Sequence, residues 1–251
     1  MKRPLSVQLY TLRNRAASDF AGVLRDLSEI GFKGVETAGL HGKTALEVRK
    51  MTNDLGMVVS SAHTGLPNRD NIAEIVDTAK TLGYNFIISG LGPDEFKTVD
   101  AIKAGAERFM AAAELLKPHG LRMGYHNHWW EFDLVEGRYG FNRFFELCPD
   151  VFIELDVYWA CNFNRLDVPA IVKAHKKQIK LLHIKDGPLV QGQPHTAAGQ
   201  GKMNIPAIVK AAGKETEWLV VELDECVTDM TQAVCDSFNY LKKKRLGIGR
   251  D

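Results

Sequence analysis

The sequence predicts an α/β protein folded as a single (β/α)8 barrel over residues 1–251, and three observations carry that reading. Short apolar, β-branched runs alternate with stretches of helical spacing, the pattern of parallel strands joined by crossover helices. Eight such units fill the 251 residues, a usual length for a closed barrel. No G-x-G-x-x-G follows the first strand, so the competing open dinucleotide-binding sheet lacks its phosphate turn.

The first unit opens with the strand PLSVQLYTL. From Ser18 onward Phe20, Val23, Leu24, Leu27 and Ile30 keep helical spacing, with Ser18 or Asp19 as cap and Gly31 as stop. FKGVETAGL is the second strand, followed by a helix over 44–55, and MVVSSAH is the third, ending at His63. Ile72, Ile75, Val76, Ala79 and Leu82 line the next helix, which Gly83 closes. NFIISG precedes a long helix over 98–117 that Pro118 and Gly120 terminate. LRMGYHNH is the fifth strand, with a shorter helix over 141–147, and VFIELDVYW the sixth, with a helix over 169–177 that carries its proline where the first turn tolerates one. IKLLHIKD is followed by a Gly-, Pro- and Gln-rich loop over 187–201 and a short helix over 205–212. WLVVELDE is the eighth strand, and the helix over 228–244 ends in KKKR, a solvated terminus whose charge suits the helix dipole.

Charge and cysteine content narrow the function classes. With 32 basic and 31 acidic residues the net charge is +1, against the basic excess expected of a nucleic-acid or membrane-surface binder. Cys148, Cys161, Cys226 and Cys235 form no CxxC pair, and nothing before Leu5 resembles a signal peptide, so they read as reduced thiols of a cytoplasmic protein. No apolar run approaches the roughly 20 residues needed to cross a bilayer.

Active sites of such barrels lie at the C-terminal strand ends, which here supply Gln8, Glu36, His63, His126 with His128, Asp156, His183 with Lys185, and Glu222 with Asp224. Buried carboxylates and lysines are unfavourable unless paired or metal-bound, so a ring of them needs a cation. Asp156, His183 and Glu222 close FIELD, KLLH and LVVE and face one another across the mouth; one imidazole with carboxylates suits Mn2+, Mg2+, Co2+ or Zn2+. The most polar stretch is 121–132, LRMGYHNHWWEF, where His126 and His128 share a face of the strand and Glu131 follows.

YHNHWWEF, ELDVYW, LLHIKD, a Gly-x-Gly loop and VVELDE, in that order, resemble the xylose-isomerase-like TIM-barrel superfamily of sugar phosphate isomerases and epimerases over essentially the whole chain. The resemblance implies one divalent metal, Mn2+ first, chelated by adjacent hydroxyl and carbonyl oxygens of the substrate and held by Glu, Asp, His and Glu from strands five to eight. Carried over, the last three are Asp156, His183 and Glu222. Strand five holds His126 where the epimerases have Glu, so either His126 takes that place or Glu131 folds back to fill it. Because that Glu is one of two proton-exchanging bases in the epimerases, its change opens a path to elimination, and the YHNH motif is similar to relatives grouped near inosose dehydratase.

The implied activity is a metal-dependent isomerisation or epimerisation of a sugar or keto-sugar through a metal-stabilised enediolate. The alternative is a lyase or dehydratase acting on a keto-polyol or keto-glycoside. Glu222 or Glu131 takes the α-proton, Lys185 or His128 supplies charge or a proton, and His63, His128, Trp159 and Lys185 contact the substrate. Against these stand packing for His63 and Trp159, an ion pair with Asp186 or a nearby carboxylate for Lys185, and pairing with Arg13 for Glu36. Gly199-Gln200-Gly201 reads as a turn more than a phosphate cradle. A related DNA-repair endonuclease would need further His and Asp ligands and a basic groove. The expected partner is a small carbohydrate, without nucleic acid or membrane, and the chain is compatible with a homo-oligomer.

Overall fold

The eight apolar runs pair edge to edge in chain order in the computed structural model, which describes residues 2–250. They are β1 (Arg3–Gln8), β2 (Gly34–Ala38), β3 (Val58–His63), β4 (Phe86–Ser89), β5 (Arg122–His126), β6 (Phe152–Asp156), β7 (Ile179–Ile184) and β8 (Trp218–Val221). All eight run parallel, and β8 returns to β1 with Leu219 opposite Leu5 and Val221 opposite Val7, which closes the barrel. The crossovers are α1 (Arg13–Ile30), α2 (Ala45–Asp54), α3 (Ile72–Leu82), α4 (Val99–Leu116), α5 (Gly140–Leu147), α6 (Val168–His175), α7 (Ile205–Ala211) and α8 (Met230–Lys243).

Local chemistry sets the helix ends. Thr44 and Glu47 form a reciprocal capping box on α2, Thr98 accepts from the Ala101 N–H at the start of α4, and Gly83 stops α3 at φ 82°. The first helix begins earlier than its apolar spacing suggests. It starts at Arg13 and breaks at Asp19 (φ −141°, ψ 65°), whose carboxylate accepts the Gly22 N–H and so caps the apolar segment from within. A Cβ on Gly22 would lie 1.8 Å from Asp19 Oδ2, so any larger residue there would push the capping carboxylate aside. The first and sixth strands end sooner than their apolar runs. Gln8 accepts from the Tyr10 N–H to start a 3-10 turn, and Asp156 caps the helical turn Val157–Ala160. The hairpin of Leu134–Val135 with Arg138–Tyr139 and the Gly247–Ile248 strand beside β1 were not expected, because two-residue strands carry no readable periodicity.

Two apolar layers support the mouth. The larger lies between strands and helices. The smaller, Phe86, Ile88, Phe152 and Leu181 with Trp218 packed against them, plugs the barrel interior. Gly124 makes room for the plug, since a Cβ there would lie 2.3 Å from the Phe152 ring. Side chains two residues on along the same strands point into the same interior, so on β6 Glu154 and Asp156 stand above Phe152, and on β7 His183 stands above Leu181. Among the described residues no helix is long and apolar enough to cross a membrane.

Candidate metal centre at the barrel mouth

Strand register brings the polar residues together. His126 lies opposite Glu154, Asp156 opposite His183, and Gln8 opposite Glu36. Glu36, Glu154, Asp156 and His183 are fully buried, and Lys185 is 1% exposed. His183 uses both ring nitrogens: Nδ1 lies 2.8 Å from Glu222, and Nε2 lies 2.7 Å from Glu36. His126 Nδ1 is 3.1 Å and His63 Nε2 is 2.6 Å from the same Glu154 oxygen.

These neighbours reverse what burial alone would do to the charges. Burial pushes His63 down, but the carboxylates of Glu154 and Glu36 outweigh it and hold the ring up at about 10. His183 is held up in the same way, by Glu154, Glu222 and Glu36. Burial would raise both Glu154 and Glu222; His183 and His63 hold the first well below the usual range, and Lys185 and His183 the second.

Lys185 is paired with three carboxylates, its Nζ lying 3.0 Å from Asp156, Glu222 and Asp224. Asp186, considered as its partner, instead accepts the N–H groups of Gly187, Gly199, Gly201 and Met203 and shapes the glycine loop. A Cβ on Gly201 would lie 2.1 Å from that carboxylate, so the loop is a turn wrapped around an internal anion. The pairing of Glu36 with Arg13 is corrected as well. Glu36 accepts from Gln8 and Ser61, while Arg13 donates to the Tyr10 and Asp224 carbonyls.

Glu131 sits apart, in the 3-10 turn Trp130–Phe132. It accepts from the Tyr125 hydroxyl at 2.8 Å and the His128 N–H at 2.9 Å, and burial raises it to about 8 despite those hydrogen bonds. His128 stacks on Trp130 at 4.2 Å and is pushed to about 2 by burial and the nearby His126 and Lys185. Trp159 joins Trp129, Phe163 and His195 in lining a cavity of about 340 Å³. Lys185 Nζ lies 5.2 Å from the Trp159 ring centroid. Three consecutive residues, Asn162, Phe163 and Asn164, adopt φ of 43°, 56° and 68°, a strained turn that sets Phe163 on this wall. His195 Nδ1 accepts the Asp224 N–H, so its neutral ring carries the proton on Nε2, and burial holds it near 4.

Two sets of donors converge within 4.8 Å: His126, Asp156, His183 and Glu222, and His63, His126, Glu154 and His183. Glu131 belongs to neither. The donors suit a divalent ion: five carboxylates, Glu36, Glu154, Asp156, Glu222 and Asp224, share one ammonium and the raised imidazoles of His63 and His183, and the buried Asp156 Oδ2 has the Lys185 ion pair in place of a hydrogen bond. Glu154 escaped the sequence reading, although a carboxylate two residues before Asp156 in an apolar strand must share its face.

A family model described as xylose isomerase-like TIM barrel matches residues 24–244. Among solved structures, a sugar phosphate isomerase/epimerase from Parabacteroides distasonis is similar at TM-score 0.79 and 25% identity, covering 96% of this chain and 94% of that one. The IOLI protein with a bound zinc atom is similar at 0.73 and 14%, covering 98% of each. A probable 3-DHS dehydratase involved in petrobactin synthesis in Bacillus anthracis is similar at 0.76 and 14%, covering 96% and 99%. No curated protein sequence matches.

Proposed function

The chain belongs to the xylose isomerase-like TIM barrel family, and from that premise we propose that it is a divalent-metal-dependent isomerase or epimerase of a sugar or keto-sugar. The observation that carries the reading is the convergence of His126, Asp156, His183 and Glu222 on one buried point at the barrel mouth. These four would hold the ion, with His126 in the first place and Glu131 outside it. A bound ion supplies Lewis-acid polarisation of a substrate carbonyl or hydroxyl oxygen.

The protein's own groups supply the rest. Glu154 and Glu36 accept the second ring N–H of His126 and His183 and fix those rings. Lys185, held between Asp156, Glu222 and Asp224 and close to the Trp159 ring, donates to the substrate oxygen that gains charge. Glu222 takes the proton from the carbon beside the carbonyl, while Glu131 keeps its own proton and fixes the His128 backbone. Trp129, Trp159 and Phe163 line one cavity and stack on the sugar face, while His63 borders a separate cavity beside the donors and His128 packs on His126.

A second reading is a lyase or dehydratase on a keto-polyol or keto-glycoside. It is favoured by His126, which replaces one of the two bases that inversion needs. Incubation with keto-sugars and inososes in D2O, read by mass spectrometry, separates the two: solvent deuterium with an otherwise conserved mass marks isomerisation, and loss of water or an aglycone marks the lyase. Asp156→Asn and Glu222→Gln are expected to lose the ion and about a thousandfold in turnover. Full turnover in either variant, or a wild-type protein that takes up no divalent ion, would remove the proposal.

A further inference from the structure

Glu154, the lower carboxylate of β6, gathers a donor set of its own. His63 Nε2 and His126 Nδ1 lie 2.6 and 3.1 Å from its Oε2, and His183 Nε2 lies 3.2 Å from its Oε1. Ligand atoms about 2.0–2.1 Å from a tetrahedral ion sit roughly 3.3 Å from one another; the 3.1 and 3.2 Å separations, one to each carboxylate oxygen, come near that edge, and the 2.6 Å contact of His63 is a hydrogen bond that an ion would replace. Oε1 is fully buried and has no hydrogen-bond partner, even with His183 Nε2 so near. The Nε2 of His183 is taken by Glu36 at 2.7 Å, which leaves this oxygen open to an ion, and Nε2 becomes a ligand when metal binding releases its proton. The three rings pack with centroids 4.7, 5.1 and 5.5 Å apart, all converging on that carboxylate. His63 also borders a cavity of about 660 Å³ with Thr37, Lys43, Thr64 and Asn71, which gives an ion a way in.

We propose that His63, His126, Glu154 and His183 form a second, deeper divalent-ion seat with its own selectivity. Three imidazoles and one carboxylate favour Zn2+, whereas the outer set of His126, Asp156, His183 and Glu222 carries more carboxylate and favours Mn2+ or Mg2+. The two seats share the rings of His126 and His183 and approach the His183 ring from opposite edges, since its Nδ1 faces Glu222 and its Nε2 faces Glu36 and Glu154. This goes beyond the proposed activity and is decided by metal binding, without turnover.

The test is titration calorimetry of the chelator-stripped protein with Zn2+ alone and with Mn2+ alone, on variants first checked for folding by circular dichroism. Glu154→Gln, which also removes the partner of the His126 ring, is expected to weaken both ions, and His63→Gln to weaken Zn2+ at least about tenfold while leaving Mn2+ within about threefold. Asp156→Asn is expected to do the reverse. His63→Gln, at a partly exposed position, answers the question should Glu154→Gln fail to fold. Equal loss of both ions in all three variants would mean one seat with Glu154 and His63 as its outer partners, and would overturn the proposal, as would a wild type that takes up no Zn2+. Zn2+ uptake that depends on Glu154 and His63, with no Mn2+ uptake at all, would support the deep seat and remove the outer one.

Discussion

Glu154 on the inner wall of β6 and Glu131 in the turn after β5 are both fully buried, yet they settle in opposite charge states. Glu154 has His63, His126 and His183 at hydrogen-bond range and stays ionised. Glu131 has a phenol and one backbone N–H, which do not offset the loss of water, and it rises to about 8. Depth is the same in both regions; the partners decide the charge. In this mouth, a carboxylate that keeps its charge is one ringed by imidazoles or by Lys185, the environment that also suits a metal.

The contrast is broken most severely by neutralising Glu154. Glu154→Gln leaves the buried His183 and the partly exposed His63 with Glu36 as their remaining shared anion, and it is expected to lose about 3 kcal/mol in urea denaturation with chelator present. A loss under about 1 kcal/mol would show that the imidazoles do not depend on this carboxylate.

Glu131→Gln sharpens the other side. The folded pKa of Glu131, about 8, lies above its ordinary 4.5, so between those values the folded chain keeps a proton that the unfolded chain releases. Wild-type stability from this site therefore falls as pH rises through that window, by on the order of 5 kcal/mol, and is level above it. The variant is expected to lack this decline, seen as a flatter melting temperature between pH 5 and about 8. An unchanged slope would place the titrating group elsewhere.

The smallest effect belongs far from the mouth. Thr44→Ala breaks the capping box of α2 and is expected to lower stability by about 1 kcal/mol while leaving Zn2+ and Mn2+ titrations unchanged. Altered metal binding in this variant would show that the rim helices and the charged cluster are coupled.

Much of the site could be read from strand ends. Asp156, His183 and Glu222 each close an apolar run, and a barrel turns such ends toward a common centre. Glu154 lay in plain view in FIELD, but the apolar run around it reads as a strand whose middle should be core. That Lys185 pairs with Asp156, Glu222 and Asp224, and Asp186 with backbone N–H groups, could not be read, because adjacent residues on a strand point to opposite faces and only closure shows which face is the mouth. The family resemblance left His126 and Glu131 both open as the first ligand. In the structure His126 lies among the convergent donors and Glu131 in a 3-10 turn against Tyr125, a placement that strand pattern does not carry.

The sequence by itself determined the strand–helix plan: eight apolar runs spaced by helical periods require a parallel sheet covered on both faces, and their number, with no dinucleotide fingerprint after the first, points to the barrel over the open sheet. It also determined which residue types reach the mouth, since that follows from where each run stops. Tertiary structure alone decided how those residues share charge. The His183 ring meets Glu222 on β8's end with one nitrogen and Glu36 on β2 with the other, a contact across 147 residues of chain. Local pattern carries burial and periodicity, whereas the charge on a buried imidazole or carboxylate depends on neighbours a few ångströms away that only barrel closure brings there.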